Sequence, residues 1–154
     1  MFSQTVEYAL RAAVYLADQA PSGQTTDQVA RATYVPAAYL SKVLQALARS
    51  GIVRSQRGVK GGFHLAKMPT EITVLDVVNA VDPLRRIPFC PLDPESQSSI
   101  LYPLQERLDA AIRSVEESFR MATLASIVSE PHGDVPVVPI EHHNNGVSNH
   151  AKSS

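Results

Sequence analysis

The sequence predicts a mainly α-helical protein that contains one small β-hairpin. Apolar residues recur at helical spacing in several segments, a glycine-rich basic segment directly follows the third of them, and a long amphipathic segment lies near the C-terminus. This order of elements is typical of a winged helix-turn-helix domain followed by a dimerisation helix. The predicted parts are the winged domain over 1–82, an irregular, sensor-like connection over 83–100, the dimerisation helix over 101–129 and a disordered tail over 130–154.

The first two helices are predicted from apolar spacing and from local stop and start signals. The first covers about Ser3–Ala20 and is ended by the turn-forming sequence Pro21–Gly23. The second is short, roughly 26–32. It opens with a capping box, in which the side chains of Thr25 and Gln28 satisfy free amides of the first turn.

The third helix has Pro36 in its first turn, where the missing N–H costs nothing, and it stops at Gly51. Its apolar positions recur at i, i+3, i+4 and i+7; they are Leu40, Val43, Leu44 and Leu47. Two helices joined by a tight turn form a helix-turn-helix. The segment 52–65 then has the pattern of a strand, a glycine-rich basic tip and a returning strand, which predicts a wing.

The charge of the chain is segregated along its length. Residues 1–70 carry eight basic residues against three acidic ones, a net charge of +5, whereas residues 71–130 carry five against ten, a net charge of −5. Between Gln28 and Thr70 there are seven basic residues and no acidic one. This basic stretch contains the wing and the third helix, which is the second helix of the helix-turn-helix. The pattern therefore indicates that this half binds double-stranded DNA.

The candidate DNA contacts lie on the exposed face of the third helix and on the wing. Lys42 has the chemistry to donate to guanine and Gln45 to pair with adenine, while phosphate contacts on the wing position the protein without specifying sequence. For Tyr39 two interpretations stay open, a phosphate-binding hydroxyl or a partly buried aromatic ring. The full predicted set is Ala38, Tyr39, Ser41, Lys42, Gln45 and Arg49 on the helix, and Arg54, Ser55, Arg57 and Lys60 on the wing.

The C-terminal part is predicted to form a short helix over Thr73–Val81, the irregular connection, and a long helix from near Pro103 to about Ser129. The long helix carries an apolar seam, made of Leu101, Leu104, Leu108, Ala111, Val115, Ser118 and Ala122. Such a seam packs either on its own domain or against the same helix of a second subunit. We favour the homodimer, because paired subunits match twofold DNA sites.

Several classes of protein are disfavoured by the composition. The single cysteine, Cys90, excludes an internal disulfide framework and fits a reducing compartment. No basic and apolar leader opens the chain and no apolar run approaches about 18 residues, so we expect a cytoplasmic protein without a membrane partner. No constellation of catalytic residues indicates an enzyme, and the glycines at 58–62 lack the spacing of a phosphate-binding enzyme loop.

Three segments together resemble the Rrf-two family of bacterial transcription regulators, which includes the iron–sulfur assembly regulator and a nitric-oxide-sensitive repressor. They are the opening 5–12, the run 51–66, which contains the Arg-Gly-x-x-Gly-Gly-aromatic wing and follows Tyr39-Leu40 on the preceding helix, and the run 72–78. The resemblance covers about residues 1–130. It implies a winged-helix fold, a dimer and repressor-type function, and it assigns Arg57 to the minor groove, where narrow A·T-rich DNA attracts guanidinium groups.

The chain departs from the family where cluster-binding members carry three cysteines before the long helix. Cys90 matches one of them, but Tyr102 stands where another would be. Because clusters are held mostly by cysteine thiolates, the sequence predicts a member with no iron–sulfur cluster, no other cofactor and no metal site. Open alternatives are a redox role for Cys90, a ligand- or metal-gated sensor that uses 84–99, a small-molecule or protein effector, and a winged helix that binds protein instead of DNA.

Overall fold

The computed structural model of the chain describes residues 2–84, 102–131 and 133. Six α-helices and a two-stranded antiparallel hairpin make up its regular structure, together with a short 3₁₀ turn at Pro69–Glu71. In chain order the helices and strands are α1 Gln4–Gln19, α2 Thr26–Thr33, α3 Ala37–Arg49, β1 Val53–Gln56, β2 Gly62–Leu65, α4 Val74–Val81, α5 Tyr102–Met121 and α6 Leu124–Ser129. The prediction of a mainly α-helical chain with one small hairpin is confirmed.

The ends of the first helices follow the capping signals in the sequence. The Ser3 hydroxyl accepts from the backbone N–H of Val6 at the start of α1. At the start of α2, the Thr25 hydroxyl accepts from the Gln28 amide at 3.2 Å, and the Gln28 side chain accepts from the Thr25 amide at 2.8 Å. This confirms the predicted capping box. Pro36 differs by one position from the prediction, because its extended backbone makes it the N-cap residue and α3 begins at Ala37.

The core is built around α1. Its inward face is lined by small residues, and Ala9, Ala12 and Ala13 are completely buried. Because alanine side chains take little room, α2, α3, α4, α6 and β2 all pack directly against this one helix. The predicted apolar face of α3 (Leu40, Val43, Leu44 and Leu47) is buried in the same cluster.

The hairpin is held to the helical body by a backbone pair that the sequence did not indicate. In β1 and β2, Val53 is opposite Leu65 and Gln56 is opposite Gly62. On the other side of β2, the Phe63 N–H donates to the Gln24 carbonyl at 2.7 Å and the Gln24 N–H donates to the Phe63 carbonyl at 3.0 Å. Gln24, two residues before α2, therefore extends the sheet, and β2 lies between two partners.

This pairing brings the backbone of Gly62 close to that of Gln24. A Cβ atom on Gly62 would lie 2.6 Å from the Gln24 carbonyl oxygen, and Gly62 has φ +127°, a conformation that side chains rarely adopt. Gly58 at the wing tip has φ +114°, but the space around it is open. Both glycines are needed for backbone geometry, and Gly62 is needed for the close approach as well.

The predicted long C-terminal helix is wrong in one respect, since it is interrupted at Ala122–Thr123. There the chain runs beside the start of α4: the Val74 amide donates to the Ala122 carbonyl and the Leu124 amide to the Ile72 carbonyl, both at 2.8 Å. The Thr123 side chain then caps a separate helix, α6, whose Leu124 is fully buried. The C-terminal third of the predicted dimerisation helix 101–129 belongs instead to the core of its own domain.

Several predictions fall on residues outside the described ranges. They concern Cys90, nearly all of the connection 83–100, Leu101 in the seam, and the tail beyond 133. Within the described ranges, no helix is both long enough and apolar enough to cross a bilayer.

Gly58 and Gly62 allow a test of the close approach to Gln24. Gly58→Ala should lower the free energy of unfolding by about 1–3 kcal/mol, because alanine is strained at a positive φ. Gly62→Ala should cost at least about 1 kcal/mol more, since its methyl group also overlaps the Gln24 carbonyl. Urea unfolding of both variants provides the measurement, and equal losses would show that Gly62 serves backbone conformation alone.

Candidate nucleic-acid interface

The outer face of α3 is free to enter a major groove. The helix is anchored by its buried leucines, which leaves Ala38, Lys42, Gln45 and Arg49 exposed. Ser41 is half-buried, and its hydroxyl donates to the Ala37 carbonyl at 3.2 Å. The structure thus places the predicted base-contacting side chains on one surface of one helix, the arrangement that direct readout of base edges requires.

The N-terminal end of α3 favours an anion. Pro36 provides no side-chain cap, so the first amides of the helix have no side-chain partner. Free amides and the positive end of the helix dipole together attract phosphate groups. A DNA backbone that crosses this end would orient α3 in the groove, because phosphate contacts set the register of the helix.

Tyr39 combines the two interpretations that the sequence left open. Its ring meets that of buried Tyr8 edge-on, with 5.2 Å between the ring centroids. Its hydroxyl lies 2.8 Å from the Thr5 hydroxyl, and 38% of the residue is exposed. The ring is therefore fixed by packing while the hydroxyl stays at the surface beside the start of α3. Its contact with DNA remains a prediction.

The wing presents its charges on a tight turn. The Gly61 amide donates to the Gly58 carbonyl at 2.8 Å, which places Val59 and Lys60 at the two corners. Arg57 and Lys60 are exposed, as the sequence predicted. Val59 is fully exposed at the apex. The sequence does not identify this apolar residue as a candidate contact, because a single valine between Gly58 and Lys60 carries no pattern.

The other two wing candidates lie on opposite faces of the hairpin. Side chains alternate along a strand, so Ser55 shares a face with buried Val53, while Arg54 shares the other face with its cross-strand partner His64. Arg54 and His64 line a groove of about 650 Å³ between the wing and the end of α1. The structure does not bring Arg54 and Ser55 together.

The basic residues of this surface are available for a polyanion. The described part of the chain contains two ion pairs, Glu7–Arg11 and Glu117–Arg120, and neither involves α3 or the wing. Arg11 also donates to the Thr33 carbonyl at 3.1 Å, at the end of α2. Basic residues without acidic partners give α3 and the wing a positive surface, which attracts phosphate backbones.

A second missed candidate is Tyr34, in the turn between α2 and α3. It has φ 57° and is 66% exposed. A tyrosine in the left-handed region is uncommon, and its place beside the α3 N-terminus puts an exposed aromatic hydroxyl next to the expected path of a DNA backbone. Sequence propensity predicts asparagine or glycine at such a turn, so no sequence signal identified it.

The described residues offer no group of three His, Cys, Asp or Glu side chains arranged to hold a metal. At Tyr102, the position that matches a cluster cysteine, a hydrogen bond to Glu106 and the charge of that carboxylate raise the pKa of the phenol. A phenol is protonated at neutral pH even with its ordinary pKa, so this tyrosine is a poor replacement for a thiolate ligand.

An exposed recognition helix beside a basic wing defines a winged-helix DNA-binding protein. The profile of the Rrf2 (Rrf-two) family, described as an iron-dependent transcriptional regulator, matches residues 2–130. The chain belongs to the Rrf2 family of transcriptional regulators, which confirms the resemblance found in the sequence.

Similar proteins agree with this assignment. The chain is 38% identical over 129 residues to a Mycobacterium tuberculosis (strain H37Rv) protein named as a helix-turn-helix-type transcriptional regulator, covering 80% of each chain. It is 36% identical over 98 residues to an Aquifex aeolicus protein named in the same way, covering 64% of this chain and 68% of that one.

Two solved structures share the fold. CymR, the global cysteine regulator of B. subtilis, has a TM-score of 0.71 at 21% identity, with 86% of this chain and 98% of that chain covered. IscR of T. potens has a TM-score of 0.67 at 24% identity, with 86% and 93% covered.

Proposed function

We propose that this chain is a homodimeric transcriptional repressor that binds a twofold-symmetric DNA site without an iron–sulfur cluster. The observation that carries the proposal is the joint surface of α3 and the wing, whose basic residues have no ion-pair partner among the described residues. Such a protein acts by binding and not by catalysis, in the compartment that holds the DNA. Occupying a promoter is sufficient to block transcription, so repression needs no further surface.

The two parts of the surface have different tasks. Lys42 and Gln45 on α3 supply the hydrogen-bond chemistry for base edges in the major groove. Arg57 and Lys60 extend from the wing toward the neighbouring minor groove, where a guanidinium group favours narrow A·T-rich DNA. Sequence preference therefore arises from α3 and Arg57, while Lys60 adds affinity for any DNA.

The dimer is supported by the uncovered part of the α5 seam. Leu104 is 51% exposed and Leu108 is 36% exposed, although both are large apolar residues. The other end of the helix packs on its own domain, where Phe119 lies 5.5 Å from Phe2 between ring centroids and joins a cluster with Val6. An apolar face at the end away from this contact is suited to the same helix of a second subunit.

The absence of a cluster is supported by the ligands that the chain offers. It contains one cysteine in total, Cys90, and a cluster takes four ligands that are mostly cysteine. Tyr102, whose phenol is protonated at neutral pH, does not replace the missing thiolate. The residues of this chain do not fit the iron dependence in the family description, so we propose that the metal-free dimer is the DNA-binding form.

The metal-free form can be tested directly. Protein isolated without oxygen should contain neither iron nor acid-labile sulfide in stoichiometric amounts. Chelator treatment and Cys90→Ser should both leave its DNA affinity unchanged by fluorescence anisotropy. Visible absorbance that disappears together with DNA binding on chelation would contradict the proposal.

The wing assignment predicts two different losses. Arg57→Ala should weaken the selected site by about 1–3 kcal/mol and relax its sequence preference. Lys60→Ala should weaken all DNA similarly and reduce the salt slope of log K by about 0.9, because one phosphate contact is lost. Anisotropy titrations on specific and random duplexes at several salt concentrations measure both, with Arg107→Ala on α5 as the control. The absence of any salt-dependent affinity for either duplex would instead support a protein-binding winged helix.

The dimer is tested by two variants of α5, one that adds a carboxylate on the apolar seam and one that adds it away from the seam. Leu108→Glu should convert the protein to a monomer, since a carboxylate cannot be buried in an apolar seam without a partner. Ala110→Glu adds the same charge at an exposed position away from the seam and should leave the dimer intact. Light scattering after size-exclusion chromatography gives the mass of each variant. A Leu108→Glu protein that stays dimeric would place the interface elsewhere.

A further inference from the structure

His64 lies in the middle of β2, on the face of the wing that is turned away from the core. Its ring nevertheless contacts the turn between α1 and α2, residues 20–25, called the α1–α2 turn below. The Nδ1 atom lies 3.2 Å from the Pro21 carbonyl oxygen. A carbonyl can only accept, so the Nδ1 atom carries the proton in this contact. The ring also fills the space beside Gly23, where a Cβ atom would lie only 2.6 Å from Cε1 of His64.

This contact carries a cost that a simple packing residue would avoid. The second ring nitrogen, Nε2, is buried and has no hydrogen-bond partner among the described residues. Leaving a buried polar group without a partner costs free energy. An apolar residue of similar size would fill the space beside Gly23 without this cost. The feature that only a polar side chain provides here is the directed hydrogen bond to Pro21.

The surroundings make this hydrogen bond mechanically important. Along this face the hairpin borders the groove of about 650 Å³ that Arg54 and His64 line. The other link to the turn is the backbone pair between Gln24 and Phe63, and the Gln24 side chain accepts from the Tyr15 hydroxyl at 3.1 Å. One face of the hairpin packs on the core through Val53, Phe63 and Leu65. The His64 contact lies on the opposite face and limits rotation of the hairpin from that side.

We propose that His64 is a positioning residue, which sets the angle of the wing to the α1–α2 turn and so places Arg57 in register with α3 on DNA. The proposal rests on the DNA-binding function proposed above. His64 and Gly62 are two residues apart in β2, about 7 Å along the strand, and the tight turn at 58–61 extends the wing beyond Gly62. A rotation of the hairpin at His64 therefore moves the wing tip, and Arg57 with it, further than it moves His64.

Three substitutions separate this role from general stability. His64→Ala removes both the ring and the hydrogen bond. His64→Asn keeps a donor at the position of Nδ1 and removes the buried, unpartnered Nε2. Gly23→Ala leaves His64 intact but forces its ring away from the turn, because the new methyl group would overlap that ring.

The measurement is the ratio of affinities for a DNA site selected by the wild-type protein and for random duplex at the same salt concentration. We expect His64→Ala and Gly23→Ala to lower the ratio about tenfold, which corresponds to the loss of one specific contact of about 1.4 kcal/mol. His64→Asn should stay within about threefold of the wild type. In an Arg57→Ala background His64→Ala should have no further effect, since residues that act through one contact are not additive. Additive losses, or an unchanged ratio in His64→Ala, would overturn the proposal.

A second readout does not depend on DNA. Hydrogen exchange of the Gln24 and Phe63 amides, which form the backbone pair, should accelerate in His64→Ala and Gly23→Ala but not in His64→Asn. Unchanged exchange in all three would overturn the positioning role, even if DNA binding follows expectation. If the wild-type protein selects no DNA site while the exchange pattern appears, the function proposed above fails and the mechanical role of His64 stands. If His64→Ala does not fold, Gly23→Ala and His64→Asn decide both readouts.

Discussion

The burial of α1 is the constraint on which the rest of this structure depends. Three completely buried alanines, Ala9, Ala12 and Ala13, let four other helices and one strand approach the same helix. Larger side chains at these positions would push α3 and α4 apart and separate the recognition helix from the wing. The angle between the two DNA-binding elements therefore depends on a helix that need not touch a base, and the end of that helix leads directly into the turn that holds the wing.

The elements predicted well are those set by local chemistry. Periodic apolar residues placed α1 and α3 to within two residues, and the Thr25–Gln28 capping box fixed the start of α2. The break at Ala122–Thr123 was not predictable in the same way, because both sides of it are helical in pattern. It exists since backbone groups there bond to Ile72 and Val74, residues about fifty positions earlier in the chain. The spacing of apolar residues shows which face of a helix is buried, but not which residues of another element contact that face.

The candidate site likewise divides into features that follow from local sequence and features that depend on contacts between distant segments. The faces of α3 and the basic wing tip followed from residue type and spacing, so Lys42, Gln45, Arg57 and Lys60 were identifiable before any coordinates. The pairing of Gln24 with Phe63, the contact of His64 with the turn and the left-handed Tyr34 were not. Each depends on two segments meeting in space or on tertiary packing overriding local propensity. These non-local contacts control where the predicted charges point.

The segregation of charge along the chain keeps two sets of residues distinct. The basic residues of α3 and the wing lie in the first half, whereas α5, with its exposed Leu104 and Leu108, lies in the acidic second half. A second subunit on α5 would therefore bury residues other than those of the DNA-binding surface. The spacing of the two recognition helices would then be set by α5, while the orientation of each wing is set within its own subunit. Control of such a dimer needs only a small rotation of one element against another.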